Sequence, residues 1–112
     1  ELTNLTNDIY SDADPAWSPD GRTVYFSSDR GADSIGGSPV MQRHDYGQTD
    51  LYRVALSSLS VRRITDWPNS DESSVAATSD GKQLLFVSDR NGINNIYAMD
   101  ARFLVLYPRF LD

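Results

Sequence analysis

The sequence predicts an all-β fold made of two copies of one repeat, and two observations carry this prediction. Residues 18–30 and 78–90 share a small polar residue, an Asp-Gly pair, an apolar strand and a terminal Ser-Asp-Arg triplet. Their strand portions contain β-branched and aromatic residues, which favour extended structure. The second observation is that no segment shows the sustained period of about 3.6 residues that an amphipathic helix requires.

The spacing between the two copies measures the repeat. Their turns lie 60 residues apart, from Ser18 to Thr78, but a later strand recurs after only 45 residues, from Tyr52 to Tyr97. The 15-residue difference indicates an insertion in the first copy, within residues 31–49. A period of about 45 residues is the length of one four-stranded β-propeller blade. We therefore predict blades of four antiparallel strands each, in a partial propeller.

Turn residues divide each copy into short strands. The predicted strands are residues 15–17, 23–28, 50–56 and 61–65 in the first copy, and 74–77, 83–88 and 94–100 in the second. Residues 2–6 have the pattern of the fourth strand. The predicted units are therefore residues 1–7 (outer strand of a preceding blade), 8–66 (first blade, with an inserted loop at 31–49) and 67–112 (second blade, with a divergent C-terminal strand).

Eight recurring residues are predicted to serve the repeat itself. An Asp-Gly pair suits a type I turn with a G1 bulge, because glycine accepts the positive φ that the bulge needs. In the Ser-Asp-Arg triplets, Asp is expected to cap N–H groups of the following loop, and Arg to pair with it or to cover an aromatic ring. The eight are Asp20, Gly21, Asp29, Arg30, Asp80, Gly81, Asp89 and Arg90. Trp17 and Trp67 are likewise expected to pack in the core or between blades.

Composition narrows the classes of function. The formal net charge of −6 opposes binding to the phosphate backbone of nucleic acids. No apolar run approaches the roughly 20 residues of a membrane-spanning helix, so no membrane insertion is predicted. The chain contains no cysteine, which excludes disulfides and thiolate metal sites.

Three segments carry a resemblance to a known family. They are DADPAWSPDGRTVYFSSDR, DLYRVALSSLSVRRITD and TSDGKQLLFVSDRNGINNIYAMD, which together span most of residues 12–100. They resemble the repeats of the TolB-type β-propeller family, which carry a P-x-W-S-P-D-G turn and an I-Y-x-M-D strand. The resemblance implies a periplasmic or extracellular module that docks proteins or peptides.

Two blades are too few for a closed ring, since propellers have roughly four to eight. A pair of blades exposes apolar faces and strand edges that invite association. We therefore expect either a piece of a longer propeller or self-association of several copies. Three copies would complete the six-bladed ring that the resemblance suggests.

Two groups of residues are candidates for partner recognition. The acidic residues Asp12, Asp14, Asp71 and Glu72 precede or open the innermost strands, and we expect them at one mouth of the central tunnel. They lack the spacing of a calcium loop, so neither a metal nor a cofactor is predicted. The insertion supplies a candidate partner-binding loop, Met41, Gln42, Arg43, His44, Asp45 and Tyr46. A solvated loop without a ligand is the alternative interpretation.

No catalytic residue is predicted. His44 is the only histidine, and no nucleophile stands at a recognisable spacing from it. The predicted function is a non-catalytic scaffold for protein or peptide binding. The alternative is the substrate-gating propeller of a prolyl-oligopeptidase-type serine peptidase, whose catalytic domain would lie outside this chain, because no G-x-S-x-G motif is present. A parent protein of the oligogalacturonate lyase type, with a metal held by histidines, is a further alternative.

Overall fold

The structure, a computed structural model, describes residues 2–8, 10–30, 48–67 and 69–101. Strands and turns account for all the regular structure in these ranges, as the sequence predicts. The strands are β1 (Asp12–Trp17), β2 (Thr23–Ser28), β3 (Asp50–Ala55), β4 (Val61–Arg63), β5 (Glu72–Ala77), β6 (Gln83–Ser88) and β7 (Asn95–Asp100). None of the described residues belongs to a helix that is long and apolar enough to cross a membrane.

The strands form two antiparallel sheets. The first has the order β1-β2-β3-β4 and the second the order β5-β6-β7. Within each sheet, every strand pairs with the next along the chain, the arrangement of a propeller blade. The predicted fold class is thereby confirmed. The predicted fourth strand of the second copy falls after residue 101, outside the described residues.

Residues 2–8 form no strand. An outer strand is stabilised by ladder hydrogen bonds to its own blade, and the described sheets offer this segment no such partner. Its assignment to a preceding blade, like the other unit boundaries, stays a prediction.

Both innermost strands begin two or three residues earlier than predicted, and each contains a bulge that separates these first residues from the rest of the strand. The register of β1 against β2 shifts between Ala13 and Ala16, and the register of β5 against β6 shifts between Ser73 and Ala76. At the two equivalent positions, Asp14 and Ser74, φ is +54° and +55°. Bulges break the alternation by which strands are recognised in sequence, so the residues before each bulge were not predicted as strand.

The Asp-Gly turns are built alike in both copies. Gly21 and Gly81 have φ of +72° and +74°. The Gly21 N–H donates to the Ser18 carbonyl at 3.0 Å, closing the turn. Asp20 Oδ1 accepts hydrogen bonds from Ser18 Oγ at 2.6 Å and from the Arg22 N–H at 3.0 Å, and these bonds lower the pKa of Asp20.

The larger of two clusters of buried hydrophobic residues lies between the two sheets, and the smaller one consists of Phe26, Tyr52 and Val54 of the first sheet. In the larger cluster, Tyr25 and Leu51 of the first sheet pack with Val75, Leu84 and Phe86 of the second. Trp67 joins this cluster, its ring centroid 5.8 Å from that of Phe86. The predicted packing role of Trp67 therefore matches its position.

Trp17 differs from Trp67, because its side chain is 64% exposed. The equivalent residue of the second copy, Ala77, packs against the core between the sheets. Because the two blades are built alike, the equivalent Trp17 points toward the face of the first sheet that lies away from the second sheet. No described sheet covers it there, so Trp17 does not belong to the core of the described residues, and its packing against a further blade stays a prediction.

Candidate functional site

Arg30 of the first copy is almost completely buried, with 4% of its surface exposed. Its Nη2 atom lies 2.7 Å from Asp8 Oδ2 and 2.8 Å from Asp12 Oδ1. Its guanidinium carbon lies 5.3–5.4 Å from the ring centroids of Tyr10, Phe26 and Tyr52. Buried cations are retained where ion pairs and aromatic faces replace their water. Asp12 is therefore engaged inside the first copy.

Arg90 has the equivalent position in the second copy and a different environment. Its guanidinium carbon lies 4.3 Å from the ring centroid of Trp67 and 5.8 Å from that of Tyr97. The side chain is exposed, and no carboxylate of the described residues forms an ion pair with it. The repeat explains the difference, because Pro68 stands in sequence where the first copy has Asp8.

Glu72 stands where the first copy has Asp12, but it does not reach Arg90. Its Oε2 atom accepts hydrogen bonds of 2.7 Å from both Ser70 Oγ and Ser88 Oγ. Its exposure is 0%, and Oε1 has no hydrogen-bond partner among the described residues. Burial first, and then the nearby Asp50, raise the pKa of Glu72. The carboxyl group of Glu72 is thus enclosed by its neighbours rather than exposed to a partner, and its position at a tunnel mouth stays a prediction.

Asp50 is the second buried carboxylate of this region. Its Oδ2 atom lies 2.6 Å from Arg63 Nη2, and its Oδ1 atom accepts a 3.0 Å hydrogen bond from Thr65 Oγ1. Both carboxyl groups stand at strand starts that are joined across the sheets, since the Glu72 N–H donates to the Thr49 carbonyl at 3.0 Å. Asp50 was not among the predicted site residues, because its burial depends on contacts with Arg63 and Thr65 that lie 13 and 15 residues away.

The aspartates of the two triplets cap backbone N–H groups of the segments that precede the innermost strands. Asp29 Oδ1 accepts from the Ser11 N–H at 3.0 Å, and Asp89 Oδ1 accepts from the Asp71 N–H at 2.8 Å. Each acceptor thus fixes the segment that enters the innermost strand of its own blade. Asp71 Oδ1 in turn accepts from the Thr49 N–H at 2.9 Å, which connects the two blades.

A polar cleft opens where these connections meet. Its volume is about 290 Å³, and its lining consists of Gln48, Asn69, Ser70, Asp71 and Asp89. Gln48 closes one wall, since its Nε2 atom donates to the Trp67 carbonyl at 2.9 Å and its Oε1 atom accepts from the Asn69 N–H at 3.3 Å. This Asn69 has φ of +69°, a conformation that Asn tolerates better than most residues.

The cleft holds more acceptors than donors. Asp71 and Asp89 each use Oδ1 for a backbone N–H, and neither forms an ion pair with a described cation. Asp14, by contrast, is exposed at its bulge on the other blade. Within the described ranges, no three His, Cys, Asp or Glu side chains are grouped so as to hold a metal ion.

Two residues that the sequence analysis singled out line the cleft, Asp71 as a candidate for partner recognition and Asp89 as a residue of the repeat. Gln48, Asn69 and Ser70 were missed because each belongs to a connection between strands, where single-sequence patterns are weakest. The candidate loop Met41, Gln42, Arg43, His44, Asp45 and Tyr46 lies outside the described residues.

The sheets and their turns define the class of the fold, a pair of β-propeller blades. Solved structures of TolB propellers are similar to this pair of blades. A TolB structure from Agrobacterium tumefaciens matches with a TM-score of 0.65 and 19% identity, over 88% of this chain and 29% of that chain. TolB from Acinetobacter baumannii matches with a TM-score of 0.53 and 27% identity, over 88% of this chain and 19% of that chain.

These matches confirm the resemblance to TolB-type propellers at the level of fold. The chain spans less than a third of the length of either structure. No protein-family profile matches the chain, and no curated protein matches it in sequence.

Proposed function

We propose that the chain is a non-catalytic binding scaffold of a TolB-like propeller, which holds a protein or peptide partner at the polar cleft between its two blades. The fold supports a scaffold, because propellers present loops and clefts on a rigid frame of sheets. Following the resemblance, we place this scaffold in the periplasm or outside the cell. The gating of a peptidase stays a sequence-based alternative, and no contact of the described residues favours it.

The observation that carries this proposal is the mismatch of donors and acceptors in the cleft. Asp71 and Asp89 present carboxylate oxygens beside Asn69 without a cation from the described residues. A complementary ligand must therefore supply N–H donors or positive charge. The backbone of an extended peptide with a Lys or Arg side chain supplies both.

Peptide titrations of the full ¹⁵N-labelled chain test this proposal. The probe is acetyl-Gly-Lys-Gly-Lys-Gly-amide, and the same peptide with Gln in place of Lys is its neutral counterpart. We expect the Lys peptide to shift the amide signals of Asn69, Ser70, Asp71 and Asp89 in a saturable manner.

Isosteric variants locate the binding. Asp71→Asn and Asp89→Asn keep the oxygen that caps a backbone N–H but remove the charge, so each is expected to weaken binding of the Lys peptide about threefold. Asp14→Asn is the matched control, because Asp14 is an exposed carboxylate away from the cleft. Equal binding of the Lys and Gln peptides, or equal effects of all three variants, would contradict the proposal.

A further inference from the structure

The two equivalent arginines, Arg30 and Arg90, differ in burial and in their contacts. Arg30 is buried and holds two carboxylates, those of Asp8 and Asp12, at 2.7 and 2.8 Å. Arg90 is exposed and has aromatic neighbours, Trp67 and Tyr97, but no carboxylate partner among the described residues. The first copy thus shows what this position of the repeat binds when the acceptors are present.

The geometry of Arg90 leaves its donors available. Its guanidinium carbon lies over the Trp67 ring, 4.3 Å from the centroid, so the aromatic contact restrains the side chain. No described residue accepts a hydrogen bond from its guanidinium N–H groups. These donors form a planar fork that matches the two oxygens of a carboxylate.

Resting on the proposed function, we propose that Arg90 is a docking point for an Asp or Glu side chain of the bound protein or peptide. Trp67 connects this point to the cleft, because its carbonyl accepts the hydrogen bond of Gln48 Nε2. The partner would thus present an acidic group to Arg90 and a donor group to Asp71 and Asp89. The neighbouring Asp89 does not preclude an anion, since Asp29 stands equally next to Arg30 in the first copy, where two carboxylates bind.

The test uses acetyl-Gly-Glu-Gly-amide as the probe and acetyl-Gly-Gln-Gly-amide as its neutral counterpart, titrated into the full chain. The readouts are the NMR signals of the Trp67 indole N–H and the Arg90 Nε–H. The variant Trp17→Phe identifies the Trp67 signal, since the chain contains two tryptophans. We expect the Glu peptide to shift both signals and to bind about fivefold more tightly than the Gln peptide at low salt.

Three variants decide between a specific site and general charge attraction. Arg90→Ala should abolish the preference for Glu, and Arg90→Lys should retain only part of it, because an ammonium group lacks the planar fork. Arg62→Ala is the matched control, an exposed arginine on β4 whose loss should leave binding unchanged. An unchanged preference in Arg90→Ala, or an equal loss in Arg62→Ala, would overturn this inference.

The two proposals fail separately. If the Lys peptide binds at the cleft of wild type and Arg90→Ala alike, while the Glu peptide never shifts Trp67, the scaffold stands and the carboxylate site is wrong. If the Glu peptide binds through Arg90 but the Lys peptide does not reach the cleft, the proposed cleft function is wrong.

Discussion

Ser88 Oγ donates a 2.7 Å hydrogen bond to Glu72 Oε2 in the interior between the two sheets. Both side chains are completely buried. The bond joins the innermost strand of the second blade to its neighbour. It places a carboxyl group where a charge is costly unless hydrogen bonds or a proton compensate it. The raised pKa of Glu72 expresses this cost, which has burial as its main cause and the nearby Asp50 as a smaller one.

We expect Glu72→Gln to stabilise the protein at neutral pH relative to wild type. A carboxyl group whose pKa is higher in the folded state stabilises fully below its unfolded pKa of about 4.5. This contribution is lost as the pH rises through the folded pKa. The Gln amide stays neutral throughout, and its oxygen can still accept from Ser70 and Ser88.

Urea denaturation of wild type and Glu72→Gln between pH 4.5 and 8 measures the effect. The difference in unfolding free energy should move in favour of Glu72→Gln as the pH increases. Glu72→Ala is the contrasting variant, expected to be about 2 kcal/mol less stable than Glu72→Gln at every pH, because two buried hydroxyls lose their acceptor. A pH-independent difference between wild type and Glu72→Gln would show that Glu72 titrates normally.

The sequence predicted the parts of the fold that local chemistry determines. Gly21 and Gly81 have the positive φ that the Asp-Gly pairs indicate, and β2 and β6 have their predicted bounds. Each of these features is determined by residues within one turn or one strand. A local sequence pattern is therefore sufficient to predict it.

Features that depend on both blades could not be predicted in this way. Trp17 and Ala77 occupy one repeat position, yet only Ala77 has a sheet packed against it. Glu72 has the polarity of a surface residue, but its burial results from contacts with Ser88 and Ser70. The cleft likewise combines Gln48 of one blade with Asp89 of the other, which are distant in sequence.

Substitution of the two equivalent arginines should have unequal effects on stability. Arg30→Met removes the cation that pairs with Asp8 and Asp12 and leaves both carboxylates with reduced compensation, so we expect a loss of about 3 kcal/mol. Arg90→Met removes an exposed cation–π contact and should cost about 1 kcal/mol or less. Thermal and urea denaturation of both variants measure these losses. Equal losses would mean that the two positions do not differ as their contacts indicate.

Gly21→Ala should destabilise the protein by about 1 kcal/mol through the backbone alone. A Cβ atom at Gly21 would meet nothing within 4 Å, so no clash contributes. The cost is that of holding an L-residue at φ of +72°. Gly21→Asn is the control and should cost less, because Asn tolerates this conformation. Denaturation midpoints that are equal for the Ala and Asn variants would contradict this explanation.

Ile96 should mediate self-association of the chain. It is 78% exposed on β7, whereas its repeat equivalent on β3, Leu51, is completely buried between the sheets. Its face of the second sheet also exposes Leu85, the equivalent of the buried Tyr25. In the first sheet the equivalent face is covered by the second sheet, so we expect the exposed apolar face of the second sheet to contact another apolar surface. We therefore expect a sedimentation coefficient that increases with concentration for wild type and increases less for Ile96→Lys.

Ile93→Lys provides the matched control for this experiment, because Ile93 is similarly exposed but precedes β7. It adds the same charge without changing the face of the sheet, so it should associate as wild type does. If both variants reduce association equally, net charge rather than the sheet face governs it. If wild type stays monomeric at all concentrations, this face does not drive self-association, and the assembly of three copies into one ring is excluded.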